Sequence, residues 1–131
     1  MASAYSREEF IKLLIEQFPF LESAVLDEGV SGLIYLEVSC LTNYANSCLH
    51  NGRLLDFERV VTFFYQTVNQ VDSTAKDALY LNFLGDLEMP DNTPIHQAAR
   101  AVLHPEELEF WAKWRARQFG ENYLLDYLAK P

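Results

Sequence analysis

Apolar residues recur along this chain every three to four positions, and nowhere does a strand-like alternation replace that period. Phe10, Leu13, Leu14 and Phe18 share one side of a first helix. Its start is marked by Ser6 and Glu9, spaced as a capping box in which the hydroxyl and the carboxylate each meet a free backbone N–H. Pro19 disfavours helical geometry at Phe18 but suits the first turn of a short second helix, which Asp27-Glu28-Gly29 closes. From Ser31 to His50 the periodicity is clearest: Ile34, Val38, Leu41, Ala45 and Cys48 form a stripe, widened by Leu33, Tyr44 and Leu49. Asn51-Gly52 stops this helix, and the next, from about Leu54 to Val71, gathers Phe57, Val60, Val61, Phe64, Val68 and Val71 on one side. So short a link predicts that the two long helices pack antiparallel.

Asp72 or Ser73 caps a further helix reaching roughly Leu87, in which Leu79, Tyr80, Leu81, Phe83, Leu84 and Leu87 cover most of the circumference and predict a central position. The remaining strip, Ala75, Ala78, Asn82 and Asp86, is either a solvent window or a seam for close packing. Beyond the Pro90 to Pro94 break, a short helix is predicted from Ile95 to Leu103. Pro105 with Glu106 and Glu107 opens another after His104, and Gly120 separates it from a last amphipathic helix. The pattern predicts an all-α fold: a single compact domain, residues 1–131, of about six to eight helices in largely antiparallel hairpins.

Half of the 131 residues are apolar, enough to close one sizeable core. The net charge of −9 argues against binding nucleic acid, whose phosphates would be repelled, and favours a basic partner. The first ten residues show no leader or lipidation signal, and no apolar run approaches the ~18 residues of a membrane span, so a cytoplasmic protein is expected. Cys40 and Cys48 fall on one predicted helix about 12 Å apart at ~1.5 Å rise per residue, too far for a disulfide.

The acidity is not evenly spread. Residues 1–30 hold six acids against two bases, and 72–95 hold five against one. Between Lys76 and Arg100 lie Asp77, Asp86, Glu88 and Asp91 with no base, in a segment broken by two prolines. Such runs most often solvate a surface. Their functional use would be a docking face for a basic partner, where rim acids speed encounter and a few desolvated contacts fix specificity.

Catalytic signatures are missing: the sequence holds no GxSxG, HExxH, phosphate-cradling glycine loop, paired CxxC or ExxH pairs. Neither enzymatic activity nor a metal or other cofactor is therefore expected. His50, His96 and His104 fall at predicted helix ends or loops, where dipole or capping roles suit them. Glu37 is the most unusual ionisable residue, lying on the helical wheel among Leu33, Ile34, Cys40, Leu41 and Tyr44. A buried carboxylate there needs a tyrosine, asparagine or arginine partner from a neighbouring helix; a general acid with raised pKa is the sharper alternative. Phe110, Trp111 and Trp114 could supply one exposed ring, while core packing is the favoured role for the group.

Four stretches, EEFIKLLIEQFPFLES, YLEVSCLTNYANSCL, KDALYLNFLGDLEM and LHPEELEFWAKW, give the chain a layout that resembles the small helical immunity proteins of bacterial contact-dependent growth inhibition and related polymorphic-toxin systems. The likeness covers most of the length. It implies a cytoplasmic protein that binds its own cell's toxin domain, in a ratio taken as one to one, and covers the active site or substrate path. Many such toxins are nucleases with basic clefts, and an RNase is favoured. Charge and loop position then nominate Asn82, Asp86, Glu88 and Asp91 as partner contacts, with Asp27 and Glu28 as a second patch. A helical adaptor that binds a basic peptide in a groove between hairpins is the alternative.

Overall fold

The computed structural model describes residues 5–90 and 93–120, and most of its helices start where a side chain or a proline deals with free amides. Ser6 Oγ accepts from the Glu9 amide at 3.2 Å and Glu9 Oε1 accepts from the Ser6 amide at 3.3 Å. This reciprocal cap opens α1 (Arg7–Gln17). At Phe18 the backbone leaves helical geometry, and Pro19 begins the 3-10 turn Pro19–Leu21 that leads into α2 (Glu22–Val25). Helices α3 (Ile34–His50) and α4 (Leu54–Thr67) flank a three-residue turn in which Gly52 takes φ +70°, a conformation costly for any residue with a Cβ. The hairpin is antiparallel, as its short link predicts.

Asp72 caps α5 (Ser73–Ala78) by accepting from the Ala75 amide at 2.9 Å. Instead of continuing as an α-helix to Leu87, the chain widens into the π-helical segment Leu79–Leu84, closed where the Gly85 amide donates to the Tyr80 carbonyl at 2.9 Å. Thr93 caps α6 (Pro94–Val102), and Pro105 opens α7 (Pro105–Phe119). The predicted last helix lies outside the described residues. The fold is thus all-α, with seven α-helices and a single isolated bridge, Tyr5 to Val71, among the described residues.

Buried apolar side chains from Phe10 to Ala112 make one continuous core. Phe63 of α4 receives Phe18 edge-on at 5.6 Å between ring centroids, and Phe64 stacks on Phe83 at 5.4 Å. The segment predicted to be central is exposed at Ser73, Thr74, Lys76 and Asp77 and buried at Ala75, Ala78, Leu79, Phe83 and Leu84; the hub is α3, which packs against α2, α4, α5, the π segment and α6. Ala75 and Ala78 are buried, and Thr42 Oγ1 of α3 donates to the Asn82 carbonyl at 2.6 Å. The strip of small and polar residues is therefore a seam against α3: small side chains let the two backbones approach.

Candidate functional site

Residues 85–89, at the heart of the predicted docking loop, are built into the core. Their carbonyls are taken up by side chains from three helices. Trp111 Nε1 donates to Leu87 O at 2.8 Å, Arg115 Nη1 to Gly85 O at 3.3 Å, Arg100 Nη1 to Met89 O at 2.6 Å, and Asn46 Nδ2 to Asp86 O at 3.0 Å. The Glu88 amide donates back to Asn46 Oδ1 at 2.9 Å. An irregular segment can be buried when its backbone polar groups find such partners, and here Leu87 and Met89 are fully enclosed.

This arrangement changes the electrostatics of the nominated residues. Asp86 is half-buried; burial pushes its carboxyl pKa up, the Arg115 guanidinium pulls it down, and Glu88 adds to the rise. Glu88 is exposed, with Oε1 3.0 Å from His50 Nε2. Asn82 is half-buried along the seam. Asp91 lies outside the described residues. A segment without bases in its own sequence is thus met in space by Arg100, Arg115 and His50.

The second nominated patch has different surroundings. Among the described residues, five of the seven exposed large apolar side chains fall in one short span: Phe20, Leu26, Leu33, Tyr35 and Leu36. Leu36, Cys40 and Tyr44 follow one another at helical spacing along α3, Leu33 stands at its N-cap, and the Phe20 ring lies 4.7 Å from that of Tyr44. Glu22, Asp27 and Glu28 are exposed in the segment that joins Phe20 to Leu33. Between Lys12 and Arg53 the chain has no lysine or arginine, and Arg53 itself is bound to Asp56 at 2.8 Å. Burial first, then the Glu37 and Asp27 carboxylates, push the Cys40 thiol pKa up. The acids were legible in the sequence, but the apolar face was not. Its signal is on the α3 wheel, where Leu33, Leu36 and Cys40 lie to one side of the core stripe.

Glu37 is buried, as its position predicts, and its partner is an arginine. Oε2 accepts from Arg7 Nη1 at 2.7 Å and from the Gly32 amide at 3.1 Å, while Oε1 has no partner among the described residues. The carboxylate joins the start of α1 to the turn before α3. His104 stands at the N-cap position of α7 without a capping side-chain bond; its amide donates to Tyr65 Oη at 2.9 Å and its ring stacks on Tyr65. Tyr65 Oη donates in turn to the buried Glu107 at 2.8 Å. Trp111 is fully enclosed, and Phe110 and Trp114 stack in parallel, both half-buried, so none of the three is an exposed anchor. Among the described residues no three His, Cys, Asp or Glu side chains are grouped to hold a metal ion, and no helix is long and apolar enough to cross a membrane.

A family profile, described as a domain of unknown function (DUF7674), matches residues 11–120. The chain belongs to that family. The matched span takes in α3, the apolar face beside it and the laced segment 85–89, so both surfaces belong to the DUF7674 domain and neither is an appendage to it. No curated protein and no solved structure matches the chain.

Proposed function

We propose that this DUF7674 protein is a non-enzymatic inhibitor of the immunity type, which neutralises a cognate toxin domain in the cytoplasm by covering a basic active site or substrate cleft. The observation that carries the reading is surface acid with no ion-pair partner among the described residues. Glu22, Asp27 and Glu28 stand exposed in a stretch without lysine or arginine, on a chain of net charge −9. Such a surface attracts a protein that handles phosphates, and a nuclease, RNase first, is the partner class whose cleft is complementary to it. A standard interface buries about 800 Å² per partner and depends on a few well-packed anchors, so charge supplies encounter rate while apolar contacts supply lifetime.

The test is co-purification of the tagged protein with the product of the gene immediately upstream, at low and high salt, together with growth of cells expressing that product with and without the protein. A salt-sensitive one-to-one complex and rescued growth are expected. If the two proteins neither associate nor alter growth together, the inhibitor reading is lost. The exposed apolar face, with carboxylates among its residues in the chain, also supports a second reading, an adaptor for a basic peptide or protein. That reading takes first place if the protein binds basic amphipathic peptides while the upstream product is harmless and does not bind.

A further inference from the structure

We infer that the partner docks on the face formed by Phe20, Leu26, Leu33 and Leu36, and that the docking element is an apolar ridge flanked by lysine or arginine, such as one side of a basic amphipathic helix. The inference deepens the reading of the protein as a binder of a basic partner and rests on it. The four side chains are 44% to 58% exposed, a cost in water that most large apolar residues of this chain avoid. Exposed carboxylates at Glu22, Asp27 and Glu28 lie among them in the chain, between Phe20 and Leu33. An apolar centre within a charged rim is the anatomy of a recognition surface, with the centre providing anchors and the rim providing direction.

The face is also pre-organised. Asp27 holds the turn below it, its side chain accepting from the Gly29 amide at 3.0 Å and its carbonyl from the Val30 and Ser31 amides at 2.9 and 2.8 Å. Glu37 then ties Gly32 to Arg7. The backbone that carries Leu26 and Leu33, at the two ends of that turn, is set before any partner arrives, which lowers the ordering cost of binding.

Charge selects the occupant. A second copy would bring another set of the same acids, Glu22, Asp27 and Glu28, to the interface with no lysine or arginine between residues 13 and 52 to offset them, and an anionic membrane or nucleic acid would meet the same repulsion. A basic protein segment with an apolar side is complementary in both respects. The laced segment 85–89 lacks this combination, since its apolar residues Leu87 and Met89 are enclosed.

The decisive experiment is a titration of the 15N-labelled protein with a synthetic amphipathic helix carrying leucines on one side and lysines flanking them, beside a control peptide with glutamates in place of the lysines. Amide shifts should cluster between residues 20 and 44 for the basic peptide alone. The Leu26→Ser/Leu36→Ser variant, checked for an unchanged folded spectrum elsewhere, should bind about tenfold more weakly or worse. Asp27→Asn/Glu28→Gln should lessen the salt dependence. Shifts centred on Gly85 to Met89, no shifts at all, or equal binding of both peptides would overturn the inference. The same variants separate it from the inhibitor reading in the co-purification. An upstream product that binds both variants as tightly as wild type defeats the proposed face and leaves inhibition standing. A titrating peptide beside an upstream product that never binds does the reverse.

Discussion

In residues 85–89 the backbone is satisfied by side chains from distant helices; in residues 26–33 it is satisfied largely within the turn itself, leaving most of its side chains to solvent. Trp111, Arg100, Arg115 and Asn46 reach into the first segment and take up its carbonyls. In the second, Gly29, Val30 and Ser31 turn back on Asp27, and Leu26, Leu33 and the flanking acids remain available. Two stretches of similar acidity therefore differ in what they can do. Carbonyls taken up by distant side chains tie the first segment into the fold, though Glu88 stays exposed, whereas a turn closed locally leaves most of its side chains in solvent.

The largest effect that would sharpen this contrast is expected at Trp111. Trp111→Ala empties a fully enclosed site and leaves the Leu87 carbonyl without its donor, and should cost about 3–5 kcal/mol in urea unfolding. A loss near zero would mean that segment 85–89 is not part of the core. Gly85→Ala comes next. A Cβ there would stand 2.5 Å from Trp114 Cδ1 and 2.7 Å from Trp114 Nε1, and the resulting overpacking should destabilise by about 1–3 kcal/mol.

Asp86→Asn tests the electrostatics of the same segment through pH. Burial raises the Asp86 pKa above its ordinary 3.8, so the folded state holds this proton more tightly than the unfolded chain does. Its contribution to stability is then fully present below the unfolded pKa and is lost as pH rises through the folded one. The asparagine variant should accordingly equal or exceed wild type in unfolding midpoint at pH 7, and lose that advantage at pH 3. A variant weaker at pH 7 would instead make the Asp86 carboxylate a net stabilising partner of Arg115. The smallest effect is expected on the other surface: Leu26→Ser/Asp27→Asn/Glu28→Gln should shift stability by no more than about 0.5 kcal/mol, because these side chains are exposed and asparagine keeps an oxygen for the Gly29 amide. A large loss in the melt would place this face in the fold and remove it as a docking surface.

Much of the framework was legible because its causes are local. The Ser6–Glu9 cap, the breaks at Pro19 and Asn51-Gly52 and the Asp72 cap each depend on neighbours within a few positions. The burial of Glu37 was equally readable from the α3 wheel, but its arginine is 30 residues away and could be named only by type. The widening of the chain at Leu79–Leu84 was not legible, since apolar residues around the whole circumference fit α and π registers alike.

By itself the sequence determined an all-α chain, the approximate places where most helices begin and end, which face of each helix is apolar, and an excess of acid in two regions. Tertiary structure alone decided which acids are met by cations and which apolar residues stay outside. Both depend on contacts between segments far apart in the chain: Arg100 and Arg115 reach residues 85–89 through the packing of α6 and α7, and Phe20 lies on Tyr44 through the turn before α3. Periodicity records the side of a helix that prefers to leave water, but not whether another helix arrives to cover it.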